Sequence, residues 1–154
     1  MLPLPKIALT ASDYPRLEQI ARNAAQKGDL DGIFLLGEIN RAAIVPDERD
    51  DVRSRVTVGS WVTYCTDWGA PRRTVQLVWP EECWSDPARI SVLTPLGAAL
   101  IGLQVGDQMP YFVAGCLNVV RVLNVTRSSP NVVPLFPANR RSRPLDDDPG
   151  PTAA

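Results

Sequence analysis

The alternation of apolar and polar residues is clearest between positions 89 and 107. Across Arg89–Leu93 polar and apolar residues alternate, which predicts a half-buried strand because neighbouring side chains of a strand point to opposite faces. Thr94 and Pro95 then predict a helix start, since a threonine hydroxyl accepts from free N–H groups and proline needs no donor there. The following run, Leu96–Leu103, carries no charge, so this short helix is expected to lie buried on a sheet.

Two glycines are expected to set the position and the end of that helix. Gly97 has no side chain to hold the helix away from a neighbouring strand, so we expect a close approach there. Gly102 favours the left-handed backbone with which helices commonly end. The sequence Val-Gly-Asp at positions 105–107 then predicts a turn into the next strand.

Helical spacing of apolar residues dominates the first 46 positions. An extended lead-in, Met1–Thr10, precedes a helix that is capped by Ser12 or Asp13 and runs to about Lys27. A second helix is predicted over about Leu30–Ile44. The short link between them predicts an antiparallel helical hairpin, whose arms reach only about 22 Å at 1.5 Å per residue.

Short strand-like segments follow the charged link at 47–51. They are predicted at Arg55–Val58, Trp61–Thr66, Thr74–Trp79 and Arg89–Leu93, with a last one that begins at Gln108 or Leu117 and ends at Thr126. Five short strands and one apolar helix indicate an α+β fold, in which a twisted antiparallel sheet wraps on the short helix. We therefore expect the lead-in and hairpin at 1–46 and a sheet domain at 52–127.

The composition changes after Arg127. The remaining residues are rich in proline and carry an Arg-Arg-Ser-Arg cluster and three consecutive aspartates. Such segments bury too little apolar surface to offset the entropy lost on folding. Residues 128–154 are therefore expected to form a disordered tail.

The absence of histidine excludes several reaction classes. Catalysis by a Ser-His-Asp or Cys-His group is excluded, and so is phosphate transfer through a phosphorylated histidine. The Gly-rich loop with Lys-Ser/Thr that binds nucleotide phosphates is also missing. The three cysteines, Cys65, Cys83 and Cys116, lie far apart without a Cys-x-x-Cys pair and are expected to be free thiols. The sequence predicts a protein that is not an enzyme and holds no cofactor and no metal.

Charge and hydropathy narrow the class of partner. A net charge of −1 gives no bulk attraction to nucleic acid or to an anionic membrane. No segment approaches the roughly 18 apolar residues that a membrane span needs, and the N-terminus lacks the pattern of a secretory signal. We expect a cytoplasmic monomer without direct, specific contacts to nucleic acid or to a membrane.

Residues 90–107 resemble the C-terminal domain of the Gre-type transcription factors. The pattern of that domain is a strand, then Ser/Thr-Pro-aliphatic-Gly-x-Ala-Leu-aliphatic-Gly, then Val-Gly-Asp. Two further segments agree with it, Arg55–Tyr64 and Thr74–Glu82. With Glu38–Val45 included, the chain resembles the short branch of the family called regulator of nucleoside diphosphate kinase, over roughly residues 5–127.

The resemblance implies a fold and a partner. The Gre C-terminal domain has the fold of the FK506-binding proteins (FKBP-like) and docks on RNA polymerase at the mouth of the secondary channel. It implies a polymerase-docking corner formed by Leu93, Thr94, Pro95 and Leu96. The Gre cleavage factors carry an acidic residue directly before Ser-Pro, whereas Leu93 stands at that position here, in agreement with the short branch.

Two carboxylates stand at the predicted hairpin tip, Asp29 and Asp31. In Gre factors acidic residues at the tip of a long coiled coil help to hold a catalytic metal in the polymerase, and Mg²⁺ takes oxygen ligands. The arms predicted here are much shorter than that coiled coil. We therefore favour a capping role, because the helix dipole stabilises acids at a helix N-terminus.

Two of the four tryptophans are expected to be exposed. Trp68 and Trp84 each stand in a loop, where an exposed tryptophan marks a possible interaction surface. Arg72 and Arg73 are candidates for a basic rim beside them, although a solvated arginine pair is the commoner outcome.

Three functions from different classes follow from these observations. The favoured one is a non-enzymatic transcription regulator that binds RNA polymerase near its secondary channel and does not stimulate transcript cleavage. The second is an interaction module that acts on nucleotide metabolism through another protein. The third is an FKBP-like prolyl isomerase, which fold alone supports only weakly.

Overall fold

The computed structural model describes residues 4–66, 71–84 and 86–127. Its strands and helices are β1 Ala8–Thr10, α1 Tyr14–Gln26, α2 Leu30–Arg41, β2 Ala43–Val45, β3 Trp61–Thr66, β4 Arg73–Val78, β5 Arg89–Ser91, α3 Pro95–Leu100, β6 Gln108–Val113 and β7 Cys116–Thr126. The segment 128–154, predicted to be a disordered tail, lies outside these ranges. Of the helices within them, none combines the length and the hydropathy needed to cross a membrane.

The predicted helical hairpin is present as α1 and α2. Gly28 has a positive φ of 79° and ends the first helix, and Asp29 begins the second by accepting from the N–H of Asp31 at 2.9 Å. The two helices touch where Gly32 faces Ala24, since a Cβ added at Gly32 would lie 2.4 Å from the Ala24 Cβ. Small residues therefore allow the arms of the hairpin to pack closely.

The second helix ends earlier than predicted, at Arg41 rather than Ile44. Ala42 is already extended, and β2 pairs in parallel with β1, which lies within the extended lead-in. Two causes oppose a longer helix. β-Branched Ile44 and Val45 favour strand, and Pro46 disfavours helical backbone at the residue before it.

The prediction of a strand at Arg55–Val58 was wrong. A 3₁₀ helix occupies Asp50–Ser54, and Arg55 forms only an isolated bridge with Gln104. The backbone then turns at Thr57, where the buried hydroxyl of Ser60 donates to the Thr57 carbonyl at 2.7 Å and accepts from its N–H at 3.0 Å. The side chain of Ser60 thus replaces the ladder partner that a strand would need.

A five-stranded curled sheet in the order β5-β4-β3-β7-β6 forms the second part of the chain. The single last strand that was predicted to begin at Gln108 or Leu117 is in fact two strands, because β6 ends at Val113 and β7 begins at Cys116, and the two form a hairpin. Its turn is Ala114-Gly115, with φ values of 51° and 80°. The sheet is antiparallel except between β4 and β5, which corrects the prediction of a wholly antiparallel sheet. The long connection over residues 79–88 carries the chain back, so that β5 runs in the same direction as β4.

Helix α3 lies on the sheet face that also receives the hairpin. One apolar cluster contains residues from both parts of the chain; among its fully buried members are Leu17, Leu35, Val62, Leu77, Leu100, Leu103 and Val120. The buried carboxylate of Glu38 accepts from Arg41 at 2.6 Å, and Arg41 also donates to the Pro5 carbonyl at 2.6 Å. The hairpin, the lead-in and the sheet therefore share one core.

The close approach predicted for Gly97 is present. A Cβ at this position would lie 2.0 Å from the Ser91 carbonyl oxygen and 2.9 Å from the Thr94 hydroxyl oxygen. Strand β5 ends at Ser91, before the predicted Leu93, because the backbone turns there to meet α3. Gly102 follows the helix with a φ of 82°, as predicted. These contacts fix where α3 begins.

We expect Gly97→Ala to lower the free energy of unfolding by about 2–3 kcal/mol, because backbone atoms must move to admit the methyl group. Gly37→Ala is the matched control. Gly37 also lies in a helix, but nothing stands within 4 Å of its added Cβ, so the change should stabilise by about 0.5–1 kcal/mol. Urea unfolding of both variants measures the difference, and equal effects would contradict the close approach.

Asp13 joins the hairpin to the sheet domain. Its Oδ2 accepts from the N–H of Val58 at 3.2 Å, and it makes no side-chain capping bond to α1. Burial raises the pKa of Asp13 above its usual 3.8, and the hydrogen bond from Val58 partly opposes that rise. The carboxylate is thus held at a position where its charge is unfavourable.

A carboxyl with a raised pKa binds its proton more tightly in the folded chain than in the unfolded one. The contribution of Asp13 to the free energy of unfolding is therefore greatest below pH 3.8, and it declines as the pH rises through the raised pKa. Asp13→Asn keeps an oxygen for the Val58 N–H but cannot ionise. We expect the stability of this variant relative to wild type to increase between about pH 3 and about pH 7. A pH-independent difference in urea unfolding would contradict this assignment.

Candidate functional site

The corner between β5 and α3 is held by a compact set of hydrogen bonds. The Thr94 hydroxyl accepts from the Gly97 N–H at 3.0 Å and donates to the Ser91 carbonyl at 2.7 Å. The Ser91 hydroxyl accepts from the Leu93 N–H at 3.0 Å, and the Thr94 N–H donates to the Ser91 carbonyl at 3.1 Å. Thr94 is therefore the helix cap that the sequence predicted, and the corner has little freedom to move.

The four residues predicted for docking form one continuous corner on the surface. Leu93, Thr94, Pro95 and Leu96 are each half-buried. Leu93 and Leu96 pack against the core with part of their surface and leave the rest accessible. A rigid, uncharged corner of this kind suits contact with another protein, since no part of it supplies an acid, a base or a nucleophile.

The hairpin tip brings Asp29 and Asp31 together as helix-start residues. Asp29 is the N-cap of α2, and its carboxylate is occupied by the N–H of Asp31. Burial, followed by the charge of Asp29, raises the pKa of Asp31. Beside them Leu30 and Ile33 are exposed, with 78% and 50% of their surface accessible. Within residues 4–66, 71–84 and 86–127 no group of three or more His, Cys, Asp or Glu residues is arranged to hold a metal.

The structure describes part of the predicted tryptophan surface. Trp84 has 72% of its surface accessible, and the Arg89 guanidinium lies 5.4 Å from the centre of its ring. Arg72 and Arg73 are exposed. Arg73 is the first residue of β4, and Gln76 of the same strand pairs with Arg89 in β5. Arg73 is therefore displaced by about 10 Å along the strand direction from Arg89, the residue that contacts Trp84. Trp68 lies outside the described residues.

Two surface features were missed from the sequence. Arg16 stacks over Trp79 at 4.2 Å and pairs with Glu81, a contact between residues too distant in the chain for any local pattern to indicate. The turn of the β6–β7 hairpin, Phe112–Leu117, is exposed along its whole length. The sequence indicates the hairpin, because the six consecutive apolar residues Phe112–Leu117 contain an Ala-Gly turn, but it does not indicate the exposure.

Comparisons with known proteins agree with this architecture. Residues 51–127 match the family described as transcription elongation factor GreA/GreB, C-terminal, and residues 5–45 match the family described as Rnk N-terminus. The regulator of nucleoside diphosphate kinase from Escherichia coli strain K12 is 30% identical over 113 residues, which are 72% of this chain and 81% of that protein. The protein of the same name from Shigella flexneri gives the same values.

A solved structure also resembles the chain. The prokaryotic transcription elongation factor GreA/GreB from Nitrosomonas europaea superposes with a TM-score of 0.63 at 30% identity, over 79% of this chain and 98% of the other. The two family matches meet where the hairpin joins the sheet domain, and the resemblance predicted from residues 90–107 is confirmed. The chain therefore belongs to the GreA/GreB transcription elongation factor family, among the relatives of the regulator of nucleoside diphosphate kinase.

Proposed function

We propose that this chain is a non-enzymatic transcription regulator that binds RNA polymerase near its secondary channel. The observation that carries the proposal is the corner at Leu93–Leu96, which is rigid, uncharged and accessible at the position where the family docks. In this proposal the chain acts in the cytoplasm as a monomer and recognises a protein, without specific contacts to nucleic acid or membrane.

We further propose that binding occurs without stimulation of transcript cleavage. Helix α1 has 13 residues and α2 has 12, so each arm of the hairpin spans only about 18–20 Å. The carboxylate of Asp29 is engaged as a cap, and Asp31 stands in the first turn of α2, where the helix dipole stabilises an acid. A factor that docks at the channel mouth with so short a hairpin blocks a rival by occupancy alone.

A second candidate function rests on the name of a relative. The Escherichia coli protein is called a regulator of nucleoside diphosphate kinase, which favours an interaction module acting on nucleotide metabolism. In that case the partner of the corner would be a protein other than the polymerase. A pull-down with purified core polymerase distinguishes the two, because only the first function requires direct binding.

The prolyl isomerase alternative has less support. That activity uses an aromatic-lined pocket, and the FKBP-like description of the sheet domain remains a prediction. One cleft of about 520 Å³, near the end of β7, is lined by Asp47, Glu48, Arg49, Val52, Arg53, Val125, Thr126 and Arg127. Charged residues dominate this lining and no aromatic ring contributes, so the cleft is poorly suited to a proline side chain.

We expect Pro95→Asp to weaken binding to core polymerase about tenfold, because it places a charge in an apolar contact. Aspartate is well tolerated at the first position of a helix, so the fold should survive. Pro71→Asp, at an exposed proline away from the corner, is the matched control and should bind as wild type does. Equal affinity of folded Pro95→Asp and wild type in a titration would exclude the corner as the docking site.

In stalled, backtracked complexes we expect the purified protein to leave the transcript uncut and to slow cleavage by an added Gre factor. The expected inhibition depends on its concentration relative to its Kd for polymerase. Asp29→Ala and Asp31→Ala should compete as well as wild type, since neither carboxylate reaches the catalytic metal. Strong cleavage by wild type that is lost in either variant would restore the tip as a catalytic element.

A further inference from the structure

The β6–β7 hairpin extends beyond the rest of the sheet as a two-stranded arm. The last ladder pair between β3 and β7 joins Thr66 to Val120. Four further pairs continue between β6 and β7, from Pro110 with Val119 to Val113 with Cys116. Within residues 4–66, 71–84 and 86–127, no third strand pairs with this part of the hairpin. We call residues 110–119 the arm.

The outer face of the arm is apolar. Cross-strand pairing puts Pro110, Phe112, Leu117 and Val119 on one face, with 64% of Phe112 and 60% of Leu117 accessible. The other face continues the buried core through Tyr111 at its base. From Gln108 to Val119 the sequence holds no charged residue. Edge hairpins of soluble proteins normally carry charges that prevent association, and an uninterrupted exposed apolar run is typical of a binding element.

The chain's own tail is a poor candidate to cover the arm. Strand β7 separates Leu117 from Thr126 by about 30 Å at 3.3 Å per residue. The apolar part of the tail, Val132–Phe136, ends nine residues after Arg127 and reaches about 30 Å only when fully extended. That span reaches Leu117 but leaves no length for packing around Phe112 and Leu117.

A second copy of the chain is also a poor candidate. The accessible surface of Phe112, Val113 and Leu117 amounts to roughly 300–400 Å², given about 150–250 Å² for a large side chain. A stable dimer buries about 800 Å² on each partner. Two projecting tips are moreover both convex, so neither can enclose the other. A lipid surface is disfavoured because the arm carries no basic residue that anionic headgroups would attract.

We infer that the arm is a second anchor on the same protein partner as the corner, and that it inserts Phe112 and Leu117 into an uncharged apolar groove of that partner. This inference rests on the proposed binding to RNA polymerase. The strand registers place the corner and the arm at opposite ends of the sheet, so only a partner larger than this chain can contact both. For such a partner a patch too small to hold a dimer is sufficient, since binding at the corner presents the groove at high effective concentration.

The test compares polymerase affinity of full-length variants. Phe112→Ser combined with Leu117→Ser should weaken binding at least tenfold, and the conservative Phe112→Leu should retain most of it. Ile44→Ser removes an apolar side chain of similar exposure elsewhere, 51% accessible, and should bind as wild type does. All three replaced side chains are exposed, so thermal unfolding should change little and should exclude misfolding as the cause.

The outcomes separate this inference from the function on which it rests. If wild type binds no polymerase, the proposed function fails. If wild type binds and the double arm variant binds equally well, only the second anchor is overturned. The inference is also overturned if sedimentation reveals a wild-type dimer that the arm variant dissociates, or if the arm is needed for binding to anionic phospholipid vesicles.

Cys116, exposed at the arm tip, gives an independent readout. Bound polymerase should slow its alkylation at least tenfold, as followed by peptide mass mapping of the full chain. Leu135→Ser combined with Phe136→Ser should leave the alkylation rate of the free protein unchanged. A faster rate in that variant would mean that the tail covers the arm, and would overturn the inference.

Discussion

The contact of Gly97 with the carbonyl of Ser91 is the constraint on which the exposed corner depends. Helix α3 can sit at the end of β5 only because no side chain separates their backbones. Thr94 then bridges the two elements, since its one hydroxyl serves both the strand carbonyl and the helix N–H. The position of the exposed corner is thereby fixed by backbone atoms, which do not change rotamer.

The helical hairpin is bound to the sheet by polar contacts as well as by the common core. Asp13 accepts from Val58 across the boundary, and Arg41 connects Glu38 to the lead-in at Pro5. Burying charge is unfavourable unless each group finds a partner. Glu38 finds its partner within α2, whereas Asp13 and Arg41 also reach other segments. The hairpin is consequently held against the sheet as part of one folded unit, which favours a fixed direction for its short arms.

Corner and arm differ in the way in which they can bind. The corner at Leu93–Leu96 is half-buried and stiff, so it supplies shape with modest apolar area. The arm projects from the sheet, and its large side chains Phe112 and Leu117 are exposed to solvent. In the proposed binding to RNA polymerase, the corner supplies orientation and the arm slows dissociation.

The sequence by itself determined the features that local chemistry controls. Thr94 before Pro95 indicated the helix cap, Gly102 its end and Asp29 the start of α2, because each depends on a few neighbouring backbone groups. Only the tertiary structure decided that Ile44 lies in a strand and that β5 runs parallel to β4, since both depend on pairing with distant segments. It also decided which apolar residues stay exposed. The run at Phe112–Leu117 reads as an ordinary hairpin, and its exposure arises because β3 ends before it.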